Sequence, residues 1–263
     1  MAVKRFSQQE LKEFINIIIA KMTVANEDRE YHTTPYKHLV IDNFLPKVMA
    51  QNCLNDFPNP KKSNWDEAND TDIEIKLRSN WQSEFDIPEG IVDTVRLMNS
   101  APFLLALSKI FGIKKIISDQ YFTGGGLNIT MPGGLLDVHV DGNYHDATGL
   151  NRRINAILYL NPSWQEGWGG EFGIYDNKGE NCVKKIAPLY NRLVVFDTHD
   201  KSYHGLPDPL NFPEGDYRKS IILYYYTKAE REAENNIIEK PHSALWKKRN
   251  FLDKRGNKTR KYS

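Results

Sequence analysis

The hydrophobic pattern changes character once along the chain. Over residues 7–22, Leu11, Phe14, Ile15, Ile18 and Met22 recur at helical spacing, and Ser7 with Glu10 makes a capping-box pattern. That spacing predicts a helix. The run His38-Leu-Val-Ile-Asp-Asn-Phe44 predicts a short strand, and Pro46 opens a second helix reaching about Phe57. Residues 58–72 hold Pro58, Pro60, Asp66, Glu67, Asp70 and Asp72, which predicts a solvated loop. Residues 91–111 predict one or two helices, broken near Pro102 and ended by Gly112.

After Ile113 the texture is different. Of the 17 glycines, 12 lie between Gly124 and Gly179. Short apolar runs alternate with turn residues: Leu127–Met131, Leu135–Val140, Ile154–Leu160, Glu171–Tyr175, Leu193–Phe196 and Ser220–Thr227. This spacing predicts an antiparallel barrel or sandwich. The expected order is helices, then a β-rich core, then a helical or irregular tail after Lys228.

Composition narrows the class. With 263 residues, 40% of them hydrophobic and 26% charged, the chain can bury a sizeable core. A net charge of +1 excludes a globally basic nucleic-acid protein and an acidic disordered chain. Two cysteines, Cys53 and Cys182, exclude a disulfide scaffold and a Cys-rich zinc module, and both read as structural. The first 14 residues hold no uninterrupted apolar core, and Ile17–Ala20 is too short to span a bilayer. The expectation is a cytoplasmic protein with no membrane contact. The charge is uneven: Lys240–Ser263 carries nine Lys/Arg and one Asp, a net +8, which leaves −7 for the remainder of the +1 chain. The tail reads as a solvated C-terminus, with nucleic-acid or acidic-partner contact as the alternative.

The chemistry concentrates at Asp137-Val-His139-Val-Asp141. Strand side chains alternate faces, so His139 and Asp141 point the same way and can grip one metal ion. Downstream, Ser202-Tyr203-His204-Gly205 supplies a second imidazole, with His199 as a rival five residues earlier. Tyr217-Arg218-Lys219-Ser220 follows and places Arg218 and Ser220 on one face. Two His and one carboxylate are the donor set of non-haem Fe(II) oxygenases, which leaves positions open for a 2-oxo acid and dioxygen. The remote carboxylate of such an acid needs a fixed cation, and the planar fork of arginine suits it.

Four stretches carry a resemblance: GGGLNITMPGGLLDVHVD, RRINAILYLNPSWQEGWGGEFGIYD, NRLVVFDTHDKSYHGLPDPL and RKSIILYYYT. Together they resemble the prolyl-4-hydroxylase-like 2-oxoglutarate/Fe(II) dioxygenases, closely from Phe122 to Lys228 and more weakly back to His38. The N-terminal helix and the basic tail lie outside it. The resemblance implies an α+β, β-rich fold, a double-stranded β-helix (jelly-roll) barrel with packed N-terminal helices. It divides the chain into a helical lead at 1–35, a dioxygenase domain at 36–228 with its barrel core at 122–228, and a tail at 229–263. It implies His139, Asp141 and His204 as iron ligands, since His-Gly before a long loop and Arg favours His204 over His199. It implies Arg218 as the partner of the distal carboxylate of 2-oxoglutarate, Tyr159 as a second contact, and Ser220 and Asn128 as weaker ones. Fe(II), 2-oxoglutarate, dioxygen and, as reductant, ascorbate are the implied cofactors and cosubstrates. The implied activity is hydroxylation of a C–H bond, with a prolyl residue in a peptide or protein as the favoured site and with release of succinate and CO2. Asp141 favours hydroxylation over halogenation, because related halogenases bind halide where the carboxylate would be.

Alternatives within the same chemistry are a small-molecule, sugar or nucleotide oxygenase. Outside it stand a non-catalytic metal-binding barrel and a zinc hydrolase, which has no use for a buried Arg218. Other residues carry paired readings. His145 is a loop histidine or a substrate-facing base. Arg152 and Arg153 are surface or ion-paired residues, or one touches substrate. Trp164 and Trp168 pack in a turn or line a groove. Tyr224, Tyr225 and Tyr226 are strand packing. Gly124–Gly126 is not a phosphate loop, because no Gly-Lys-Ser/Thr follows.

Overall fold

The computed structural model describes residues 3–27, 30–61, 65–70, 73–229 and 240–247, and the backbone of two short strands beyond them. In chain order the elements are α1 (Gln8–Glu27), β1 (Tyr31–His32), β2 (His38–Ile41), α2 (Lys47–Asn55), β3 (Trp65–Asp70), β4 (Glu74–Ser79), α3 (Glu89–Met98), α4 (Ala101–Phe111), β5 (Ile117–Ser118), β6 (Gly126–Thr130), β7 (Leu136–Val140), β8 (Asn151–Tyr159), β9 (Phe172–Tyr175), β10 (Cys182–Ile186), β11 (Arg192–Asp197), β12 (His204–Leu206), β13 (Arg218–Thr227), β14 (Leu245–Trp246), β15 (Phe251–Leu252) and β16 (Lys258–Thr259).

The Ser7–Glu10 capping box forms: the Glu10 amide donates to the Ser7 hydroxyl at 3.2 Å and the Ser7 amide to the Glu10 carboxylate at 2.8 Å. The helix runs five residues past the predicted end, because Ala25 continues the buried face of Leu11, Ile15, Ile18 and Met22. A helix break at Ser100 separates α3 from α4, and Gly112 at φ 70° closes α4 in the left-handed region. Two expectations are corrected. The stretch 58–72 is not all loop, since Trp65–Asp70 pairs with Glu74–Ser79 from Trp65↔Ser79 to Asp70↔Glu74. Its side chains are exposed or half-buried on both faces, so no polar-apolar alternation marked the strand. After Lys228 the chain is not only helical or irregular, since β14 joins β7. The readings placed on the remaining tail, nucleic-acid contact included, fall largely outside the described residues.

The main sheet runs β1-β2-β11-β8-β13-β6-β4-β7-β12-β9-β10 and curls so that its ends face each other. Alternation along its strands builds two cores. Ala156 and Leu158 of β8, Leu193 and Val195 of β11, and Ile221, Leu223 and Tyr225 of β13 point outward and pack with α1–α4. Ile157 and Tyr159, Val194 and Phe196 point inward and meet Phe172, Ile174 and Ile186 from the opposite layer. No helix among the described residues is long and apolar enough to cross a membrane.

Candidate metal centre

The interior of the curled sheet is where the predicted ligands converge. Antiparallel pairing of β12 with β7 sets His204 opposite His139. Residues directly opposite share a face, so both imidazoles enter the barrel. Asp141 follows two residues after His139 on the same face. Its Oδ1 lies 3.5 Å from His139 Nε2 and its Oδ2 3.3 Å from His204 Nε2. One ligating atom from each of the three residues lies within 4.8 Å of the others.

The ring orientations are fixed from behind. His139 Nδ1–H donates to the Asp137 carbonyl at 2.8 Å, and His204 Nδ1–H donates to the Ser202 carbonyl at 2.8 Å. A carbonyl only accepts, so each Nδ1 carries the proton and each Nε2 presents a lone pair inward. Burial, with His139 nearby, lowers the His204 pKa and favours this neutral form. Burial alone would raise the Asp141 pKa. Positive charge at His204, and then at His139, outweighs it and holds the carboxyl well below the usual range. With both imidazoles neutral, two lone pairs face that carboxylate, an arrangement that draws in a cation. The donor set fits a divalent metal ion with an open face.

Arg218 opens β13 and lies in the same cavity, together with Asn155, Phe172, Phe196 and Tyr224. It is 5% exposed. Its Nε–H donates to the Gly170 carbonyl at 2.8 Å and an Nη–H donates to the Tyr159 hydroxyl at 3.2 Å. Among the described residues no carboxylate lies within 4.0 Å of it. A buried charge without a counter-charge is costly, so a guanidinium placed in this way is suited to an anionic ligand. Gly170 is fitted to it: at φ 81° the residue is left-handed, and a Cβ there would come within 3.0 Å of Arg218 Cδ.

Tyr159 is fully buried behind Arg218, and burial raises its pKa against the opposing pull of that cation. Ser220 stands between Tyr159 on β8 and Asn128 on β6, one row across three strands. Among the described residues its buried hydroxyl has no hydrogen-bond partner, whereas Asn128 donates to the Gly126 carbonyl at 3.4 Å.

The rival readings separate cleanly. His199 lies in a turn, where its Nδ1 accepts from the Lys201 amide at 3.1 Å, and its ring meets Tyr36. His145 is buried against Asp119 at 3.1 Å and accepts from the Ala147 amide, so it is a structural histidine. Trp164 donates to the Gly169 carbonyl at 2.9 Å, and with Trp168 it packs on Leu206, Leu210 and Phe212. Tyr225 packs outward, but Tyr224 faces the cavity, and the Arg152 guanidinium lies 3.9 Å over its ring. An Arg152 Nη lies 3.9 Å from Asp141 Oδ1. Cys53 is buried beside Thr94, and burial pushes its thiol up to about 12, which makes it a structural thiol.

Two residues at the centre were missed in the sequence. Asn155 donates to Asp141 Oδ2 at 2.5 Å. Its inward face was legible from alternation, but its partner depends on where the chain after β7 crosses β8. The Trp246 ring lies tilted against His139 with ring centroids 4.6 Å apart. Only a lone Trp in a basic tail marked it.

Comparison with known proteins agrees with this geometry. Residues 125–226 match the family model described as the 2OG-Fe(II) oxygenase superfamily. Prolyl 3-hydroxylase OGFOD1 of Mus musculus is 34% identical over 106 residues, which cover 37% of this chain and 19% of that protein. The Xenopus laevis protein of the same name is 29% identical over 106 residues, covering 37% and 20%. The match thus spans about a fifth of the length of these curated relatives. Among solved structures, a prolyl hydroxylase from Trichoplax adhaerens, in complex with a hypoxia inducible factor peptide fragment, gives a TM-score of 0.60 at 17% identity. That likeness covers 86% of this chain and 96% of the other. A Pseudomonas putida prolyl-4-hydroxylase gives 0.56 at 18% identity, covering 79% and 100%. At these identities the structural likeness establishes the jelly-roll fold.

Proposed function

We propose that the protein is a 2-oxoglutarate/Fe(II) dioxygenase that hydroxylates a prolyl residue in a peptide or protein, releasing succinate and CO2, a reading supported by the match of residues 125–226 to the model of the 2OG-Fe(II) oxygenase superfamily. The observation that carries this reading is the buried Arg218, without a carboxylate partner among the described residues, in one cavity with His139, Asp141 and His204. A metal-binding scaffold or a zinc hydrolase gives that cation no role.

Bound Fe(II) supplies the centre at which dioxygen and 2-oxoglutarate combine to oxidise a substrate C–H bond. The chain's own residues supply the rest. His139 and His204 present Nε2 and Asp141 presents its carboxylate to the metal. Asn155 fixes the Asp141 carboxylate by donating to it. Arg218 binds the distal carboxylate of 2-oxoglutarate, with the Tyr159 hydroxyl beside it and Ser220 and Asn128 in the adjoining row. Phe172 and Phe196 pack against His204, at centroid distances of 5.3 and 4.8 Å, and keep water from the inner side of the centre. The reaction would draw on ascorbate as its external reductant. The dioxygenase domain is residues 36–228. Two free cysteines, one of them exposed, fit a cytoplasmic setting.

Prolyl substrates are supported by the names of the matched proteins, prolyl 3-hydroxylases in sequence and prolyl hydroxylases in fold. The test is incubation with proline-containing peptides, Fe(II), 2-oxoglutarate, ascorbate and air, followed by mass spectrometry. The proposal predicts one added oxygen on a prolyl residue, dependent on both Fe(II) and 2-oxoglutarate, and fragmentation identifies the ring carbon. Oxygen gained only by a free sugar, nucleotide or other small molecule would overturn the peptide assignment.

A further inference from the structure

The family match ends at residue 226, yet the chain returns to the metal centre. Lys240–Lys247 lies along the edge of β7 that β12 leaves uncovered, with Leu245 paired to Val140 and Trp246 to His139. The Lys247 amide donates to the Val138 carbonyl at 2.8 Å. Opposed residues share a face, so the register sets the indole on the His139 ring, at 4.6 Å and an interplanar angle of 31°. On its other side His139 meets the His204 ring at 4.4 Å. His139 is thus the middle of a row, His204–His139–Trp246, across three strands.

The residues after Asp141 are shaped to receive this strap. Gly142 permits the close backbone approach, since a Cβ there would lie 3.1 Å from the His242 carbonyl oxygen and 3.2 Å from Ser243 Cα. Asn143 is 6% exposed and clamps the strap from both ends of its amide. Its Nδ2 donates to the Lys240 carbonyl at 2.8 Å and its Oδ1 accepts from the His242 amide at 2.9 Å. His242 in turn meets Asp200, in the turn before His204, at 2.8 Å.

We propose that the strap is part of the metal centre and that Trp246 is a positioning residue, holding the His139 imidazole in its ligating orientation and covering it from water. This rests on His139 being an iron ligand. Groups that orient metal ligands from behind typically alter metal affinity by roughly 10- to 100-fold when removed.

The experiment uses the full chain loaded anaerobically with Fe(II), and follows capture of released iron by a chromogenic chelator. Trp246→Ala and Asn143→Ala are expected to release Fe(II) roughly tenfold faster than the native protein, and Trp246→Phe to stay near native, because it keeps an aromatic face on the imidazole. Native-like release from Trp246→Ala, or equally fast release from Trp246→Phe and Trp246→Ala, would overturn the inference. A native protein that holds no Fe(II) would instead overturn the assignment of His139, Asp141 and His204.

Discussion

His204 stands directly across from His139 in the pairing of β12 with β7, although 65 residues separate them in sequence, and their ring centroids are 4.4 Å apart. Two imidazoles brought this close inside a barrel, each with its proton turned to the carbonyl two residues earlier in the chain, leave a site for a cation. His199 lies outside this register. Fe(II) binding therefore survives His199→Ala and is lost in His204→Ala, as measured by bound iron per chain after anaerobic gel filtration.

Arg218, buried without a carboxylate partner among the described residues, makes a second prediction. With a redox-inert divalent metal in the site, 2-oxoglutarate raises the melting temperature of the native protein, because ligand binds the folded state alone. Arg218→Ala removes that shift and raises the KM for 2-oxoglutarate by roughly 10- to 100-fold, the usual range for a lost charge-assisted hydrogen bond. Gly170→Ala moves KM in the same direction, since its Cβ would press on Arg218 Cδ at 3.0 Å.

Asn155 donates to Asp141 Oδ2 and so fixes the carboxylate that would face the metal. Asn155→Ala is expected to weaken Fe(II) binding by roughly tenfold or more while the fold is retained. Isothermal titration with a divalent metal and circular dichroism separate the two effects.

Acid stability has a marked contributor in His38. Burial, then Lys184 and His32 acting against its hydrogen bond to the Tyr36 carbonyl, lowers its pKa from 6.5 to about 4. The unfolded chain binds this proton below 6.5 and the folded chain does not until about 4. Stability is thus complete above that window and falls as pH drops through it, by at most about 3 kcal/mol from this residue. His38→Gln flattens that part of the curve in urea midpoints taken at successive pH values.

The fold was legible wherever one side of a strand meets the core and the other a second layer. On β8, alternation alone assigned Asn155, Ile157 and Tyr159 to one face, and all three point inward. The shared inward face of His139 and Asp141 was legible for the same reason. β3 was not, because Trp65–Asp70 has water on both faces and shows no alternation to read. β14 was not, because a two-residue strand has no period and its place is decided by β7, more than 100 residues earlier. Asn155 and Trp246 share that limit: each acts through a register between distant segments, which no local pattern encodes.

The most direct measurement is the visible absorption of the native protein with Fe(II) under anaerobic conditions, as 2-oxoglutarate is added. Chelation of the metal by the 2-oxo acid is expected to produce a metal-to-ligand charge-transfer band that saturates at one equivalent per chain, is absent in His139→Ala and Asp141→Ala, and needs far more 2-oxoglutarate in Arg218→Ala. Native protein that binds Fe(II) yet shows no such band would contradict the account.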